Sequence, residues 1–226
     1  MIKAILFSMT TDYTLVIRKD GFMSDDIFNI KDDRVTSYVC FTFANSCMPT
    51  LIKSKPSTLI CFHKKYIDDK LKFFRALKEE AWQFNCHYKL LCESDTVYYI
   101  FIYNAELLQE IFKQYSENSV LKAAGYMTGK DSFYWNLYHF KKRYSAYKNN
   151  ISAFPHEVGI LLGYPIKDVE AYIENNGENY ILCGFWKVYH NVEEAGKIFE
   201  SFRILRKEAV DLIFSGKELK DIIPCA

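Results

Sequence analysis

The longest purely apolar run in this chain, Val97 to Tyr103 (VYYIFIY), is only seven residues long. That is far short of the roughly 20 residues a helix needs to cross a bilayer, while its β-branched and aromatic make-up suits a strand. With Tyr88 to Cys92 and the polar Glu93-Ser94-Asp95 between them, it reads as a hairpin. Asn104 follows, where a helix over Ala105 to Tyr115 needs a side-chain acceptor for the free N–H groups of its first turn.

Upstream, Thr58 to Phe62 (TLICF) reads as a strand and Asp68 to Phe84 as an amphipathic helix, with Leu71, Phe74, Leu77, Ala81 and Phe84 at helical spacing. Val35 to about Cys47 reads as a helix, although its VTSYVCFTF run leaves a strand open, and Pro49 and Pro56 bracket the break after it. Before that lie two short strands, Lys3 to Phe7 and Tyr13 to Ile17, closed by Asp20-Gly21, then a polar linker from Ser24 to Asp33. Downstream is a helical block over about 116–179, in which Phe133, Leu137, Phe140, Tyr144 and Tyr147 form one stripe of a helix over Ser132 to Tyr147. A strand around Tyr180 to Tyr189 follows, and then a helix with Asn191 as N-cap, Glu194 three residues on, and Gly216 at its end. The expected fold class is α+β: a small mixed or antiparallel sheet in a ferredoxin-like split β-α-β order, completed by the last strand, with a large helical insertion and an N-terminal β-hairpin. Residues 1–33 read as hairpin and linker, and 34–226 as a single domain.

A chain of 226 residues can bury a core without metal or disulfide staples. With 18 Phe and 17 Tyr the interior should be rich in rings, and some tyrosines must lie at the surface or line a pocket. Twenty-nine basic against 28 acidic side chains give a net charge of +1, so no whole-molecule field draws the chain to nucleic acid or to an acidic membrane. Such binding would need a local patch. The start, MIKAILFSMTTDY, lacks a small-residue cleavage site and does not read as a signal peptide, so the expected address is the cytoplasm. Seven cysteines (Cys40, Cys47, Cys61, Cys86, Cys92, Cys183, Cys225), an odd number, are expected to be reduced thiols.

The most informative stretch is Phe154 to Ile173, FPHEVGILLGYPIKDVEAYI. Pro155 suits a first helical position, Val158, Leu161 and Leu162 form an apolar face, and Gly163 stops the helix. Tyr164-Pro165 then starts a second, whose Ile166, Val169, Tyr172 and Ile173 share a face. This is the spacing of a helix-turn-helix. From Ile166 to Glu178, however, Lys167 stands against Asp168, Glu170, Glu174 and Glu178, a balance of −3 that a phosphate backbone repels. The pair is therefore read as a scaffold or a partner-binding hairpin, with nucleic acid not expected there. A basic run, Lys141-Lys142-Arg143 with Lys148, interleaved with Tyr144 and Tyr147, could hold phosphate or RNA, though such a run is usually a solvated helix face.

This stretch, followed by Gly184 to Tyr189 (GFWKVY) and preceded by Cys47 to Ser57 (CMPTLIKSKPS), resembles a bacterial family catalogued as domain of unknown function 3793. The likeness runs from about Ser37 to Phe202. Met48 and Lys53 depart from it where Ala and Gly are expected, and Phe185 where Tyr is usual. The resemblance implies no activity; it places Cys47, Pro49, Thr50, Lys55, Pro56, His156, Glu157, Trp186 and Lys187 on the family's motifs.

Among these, Cys47, His156 and Glu157 have the chemistry of an activated nucleophile if they meet in space. Adjacent helical residues point about 100° apart, which makes Glu157 a poor orienter of His156 and leaves it free to pair with Arg143. Cys61-x-His63 and Cys86-His87 with Cys92 lack paired metal-ligand spacing, and no metal site is expected. Gly125 to Asp131 fails as a phosphate loop, having three residues between its glycines and Asp after Lys130. No cofactor motif is present. The leading expectation is a non-catalytic binding or regulatory protein for a small anionic molecule or a protein partner. Its site would lie where the Cys47 to Ser57 segment, the His156 helix and the Trp186-Lys187 strand converge, with Lys55, Arg143 and Lys187 favouring an anion and Trp186 and Tyr189 stacking on it. The alternative is a thiol-dependent enzyme using Cys47 with His156.

Overall fold

The structure, a computed structural model, describes residues 25–129 and 132–222. The expected N-terminal hairpin, Lys130-Asp131 and Cys225 lie outside the described residues. The fold is α+β, built on a three-stranded antiparallel sheet of β1 (Ser57–His63), β2 (His87–Glu93) and β3 (Val97–Tyr103) in the order β1-β3-β2. The apolar heptapeptide β3 takes the centre because it can bury both faces. Tyr98, Ile100 and Ile102 enter one hydrophobic cluster, and Phe101 and Tyr103 the other. The hairpin partner β2 is an edge strand with a register shift between Leu90 and Cys92, which sends Leu91 into the second cluster.

β1 and β2 run parallel to each other on either side of β3, and α3 (Lys70–Trp82) connects them, which is a split β-α-β unit. The expected last strand does not join it. Residues near Tyr180 to Tyr189 form a separate ladder of two-residue strands, β4 (Leu182–Cys183) and β5 (Lys187–Val188). The N–H groups of Tyr189 and His190, which a continuing strand would give to a neighbour, go instead to the Asp168 carboxylate.

The first cluster is covered by α1 (Arg34–Ser46), α2 (Met48–Leu51) and α3. α1 is the helix, not the strand, of the two readings. Asp33 accepts the N–H of Thr36 at its start, and nearly every residue from Val35 to Ala44 is buried, so no solvent face marks its period. The polar stretch before it contains a 3-10 turn, Asp25–Asn29, that sets Ile27 in the core. On α3 the buried side chains are Phe73, Ala76, Leu77, Glu80 and Ala81, while Leu71 is 80% exposed. Steps of three residues turn 300°, so a stripe counted that way drifts by 60° per step and leaves the buried face.

The second cluster is covered by α4 (Ala105–Gln114), α5 (Ser119–Ala123), α6 (Ser132–Lys148), α7 (Val158–Leu161) and α8 (Ile166–Glu174). Asn104 caps α4 through the N–H of Leu107. The last helix, α9 (Val192–Phe214), belongs to both clusters: Ala195 and Phe199 pack in the second, Ala209 and Ile213 in the first. Asn191 occupies its N-cap position but is left-handed (φ 48°) and makes no capping bond, contrary to the expected capping box. Gly216, at φ 81°, follows its end. Among the described residues no helix is long and apolar enough to cross a membrane.

The rotation of α3 has a direct test in urea denaturation. Phe73→Ala should cost about 3–5 kcal/mol, as expected for a fully buried ring, and Leu71→Ala less than about 0.5 kcal/mol; the reverse order would restore the stripe read from sequence.

Candidate functional site

The site is assembled around the turn between α7 and α8. Gly163 has φ 78°, and a Cβ there would lie 2.5 Å from Cδ of Pro56, so glycine alone lets the turn settle on the proline. Beside it, the Ser57 hydroxyl donates to the Leu161 carbonyl at 2.6 Å. Together these contacts dock the helix pair on the first residues of β1. The next residue, Tyr164, stacks on the Trp186 ring at 5.3 Å and 27°.

From α8 the buried side chain of Asp168 reaches the β5–α9 junction. Its Oδ2 accepts the Trp186 indole N–H at 2.7 Å, and its Oδ1 accepts the Tyr189 and His190 N–H groups at 3.0 Å each and faces His190 Nδ1 at 3.3 Å. Charge-assisted bonds of this kind stabilise a carboxylate that burial alone would disfavour. Trp186 is further fixed edge-on against Phe199 at 4.6 Å.

Between these elements lies a small cleft, partly open to solvent and with only about 30 Å³ of space inside it, bounded by His156, Tyr164, Asp168, Tyr172, Trp186 and Lys187. Its polar groups are incompletely used. His156 Nδ1 and the Tyr164 hydroxyl are buried with no hydrogen-bond partner among the described residues, as is the Tyr189 hydroxyl nearby. Burial holds the His156 imidazole below its ordinary pKa against the opposing pull of Glu157, favouring the neutral ring. It also raises the Tyr164 phenol, and pushes Tyr189 up to about 12 with help from Tyr172 and Glu178. Lys187 donates to the Gly177 carbonyl at 2.5 Å and lies 4.4 Å from the Tyr180 ring centroid.

All three sequence motifs thus meet: CMPTLIKSKPS through Pro56 and Ser57, the helix pair through Leu161 to Asp168, and GFWKVY through Trp186 and Lys187. The sequence profile of a family described as "Protein of unknown function (DUF3793)" matches residues 43–223. The chain belongs to this family. No curated protein and no solved structure matches it. Lys53, which stands where the DUF3793 pattern leads one to expect glycine, has φ 64°, the left-handed region that glycine enters without strain.

Within this DUF3793 chain the expected site residues separate. His156, Trp186 and Lys187 share the cleft, and Tyr189 is anchored beside it. Glu157 is buried and does not orient His156; Arg143 binds it through Nε at 2.5 Å and through a second nitrogen at 3.3 Å, with the Tyr126 hydroxyl at 3.4 Å. Arg143 is thereby committed to Glu157. Cys47 is fully buried in the first cluster, with its thiol raised by desolvation, and no hydrogen bond joins it to His156, whose ring packs on Phe154 and Tyr172. That is the setting of an inert core thiol, not of an activated one.

Lys55 approaches the Tyr164 ring (5.6 Å) but is not among the residues bounding the cleft. Lys55 is half-buried, and desolvation pushes its pKa down to about 8, offset only by the Cys47 thiol. Sequence reasoning missed Asp168 and Tyr164. The available signal is an acid at the edge of the Ile166, Val169, Tyr172 stripe, which the sequence reading uses only in a charge balance.

The desolvated Lys55 predicts a pH dependence. Its pKa falls from an ordinary 10.5 when unfolded to about 8 when folded, so between those values the unfolded chain holds more protons and stability rises with pH. Urea titrations of the wild type and of Lys55→Met should therefore diverge: relative to the variant, the wild type gains stability from about pH 8 upward, whereas parallel curves would place the ammonium in solvent.

Proposed function

We propose that the protein is a non-catalytic binding protein whose cleft takes a small molecule with a flat unsaturated body and an anionic group. The observation that carries this is the meeting, in one cleft, of residues with buried polar atoms that have no partner among the described residues (His156 Nδ1 and the Tyr164 hydroxyl) with Lys187 and the rings of Tyr172 and Trp186. A native fold rarely leaves such atoms unpaired unless water or a ligand completes them. Lys187 has donors beyond the one given to Gly177, and the Tyr164 hydroxyl can donate beside it. Asp168 also borders the cleft, but donors already engage both its oxygens, which leaves Lys187 as the free charge that selects the ligand. So narrow an opening has no place for a ligand as large as a dinucleotide.

A thiol-dependent reaction gains no support, since Cys47 lies in the other cluster. A helix-turn-helix reading gains none either: α7 is a four-residue helix, and Val169 and Ala171 of α8 are buried in the protein.

The test is an amide and indole NMR titration with benzoate, using benzyl alcohol as the neutral control. Benzoate is expected to shift the Trp186 indole N–H and the amides around His156, and Lys187→Met to weaken it about tenfold, the scale of one charge-assisted hydrogen bond. Absence of shifts up to about 10 mM, which corresponds to under 3 kcal/mol of binding, or equal binding of the alcohol, would overturn the reading.

A further inference from the structure

Away from the cleft, the long helix α6 turns three large aromatic side chains to solvent: Tyr134 is 81% exposed, Tyr138 53% and Trp135 40%. Its buried side is already satisfied by Asn136, Leu137, Phe140 and Tyr144, so these rings have no role in the core. Tyr134 and Tyr138 are one turn apart, which sets them side by side on the surface. Trp135 is held in place, stacked on His139 at 4.6 Å and 14°, with His139 Nε2 in turn 2.7 Å from the Ala124 carbonyl. At 40% exposure, part of the indole is open to solvent.

The next turn adds charge. Lys141 and Lys142 follow the aromatic group, with the Lys142 ammonium 6.0 Å from the Tyr138 ring centroid. Arg143 is occupied by Glu157, and Lys148 lies against Tyr99, so these two lysines are the ones that extend the aromatic face. No aspartate or glutamate occurs anywhere from Ser132 to Lys148. A chain of net charge +1 has no general attraction for polyanions; this helix supplies the local patch such binding requires.

We infer that this face of α6 binds single-stranded nucleic acid, its unpaired bases stacking on Tyr134, Tyr138 and Trp135 and its phosphates meeting Lys141 and Lys142. Flat aromatic platforms beside cations are how proteins hold single strands without reading their sequence, whereas a duplex hides the base faces that the rings would need. A protein partner fits less well, because lysine is depleted from the centres of protein interfaces. An acidic peptide would use the lysines but leave the three rings without a purpose. The inference is independent of the cleft, which lies on other elements.

The experiment is fluorescence anisotropy of the full chain with a fluorescein-labelled oligothymidylate of about twelve nucleotides, within the usual span for such sites, with a polyglutamate of similar length as competitor. Binding is expected at low salt and should weaken as salt rises. Tyr134→Ala with Tyr138→Ala should reduce affinity about tenfold or more, and Lys141→Gln with Lys142→Gln should flatten the log–log salt dependence by about 0.7 per lysine. All four positions can be changed without opening the core, and unchanged melting curves confirm that the variants fold. The inference is overturned if the oligonucleotide does not bind at low salt or if the tyrosine changes leave its affinity unaltered. It is also overturned if polyglutamate displaces the oligonucleotide and itself binds wild type and tyrosine variants alike, which would assign the face to acidic peptides.

Discussion

The buried carboxylate of Asp168 ties together three parts of the chain, α8, β5 and the approach to α9. It takes the indole N–H of Trp186 and two backbone N–H groups at the entrance to α9. A carboxylate in an apolar interior is stable only when donors replace the water it gives up, so α8, β5 and the start of α9 are obliged to come together around it. The residue that should cap α9, Asn191, makes no side-chain bond; the Asp168 charge lies just before this helix, where the positive end of the dipole favours it. One side chain thus sets the wall of the cleft and the entry of the longest helix.

That helix carries the consequence through the molecule. The sheet divides the interior into two clusters, and α9 packs Phe199 in one and Ile213 in the other. Phe199 also meets Trp186 edge-on, and the Trp186 ring meets Tyr164, which follows the Gly163 turn resting on Pro56. Among the described residues, buried polar atoms without partners lie at the cleft, on His156 and Tyr164, and also on α3 at Glu80, while the Cys47 thiol is sealed in the first cluster. The cleft and the Cys47 thiol therefore lie in different halves of the protein.

What could be read from sequence was what is encoded locally. The β-branched and aromatic run 97–103 formed a strand, and Asn104 capped the helix after it, because propensity and capping act over three or four residues. Leu71 was misplaced because a stripe counted in threes drifts around the helix. The strand expected near residue 185 did not join the sheet because its backbone donors are satisfied by an acid some 20 residues earlier, a pairing no local pattern records. The same distance hid Asp168 itself: on a helix with two other acids, Glu170 and Glu174, nothing local marks it as buried. The convergence of three motif segments was legible; that Lys55 is not among the residues bounding the cleft, and that Arg143 is taken by Glu157, depended on packing.

The claim that Asp168 organises the site is tested most directly by a double-mutant cycle in urea denaturation between Asp168→Asn and Trp186→Phe. The second change keeps an aromatic ring against Tyr164 and Phe199 but removes the indole donor together with part of the ring, a packing loss that the cycle subtracts. If the carboxylate holds the cleft wall through that bond, the two changes should be coupled by about 1.5–3 kcal/mol, the scale of a hydrogen bond to a charged group. Effects that add to within about 0.5 kcal/mol would show that the wall stands by packing alone, and would contradict the account.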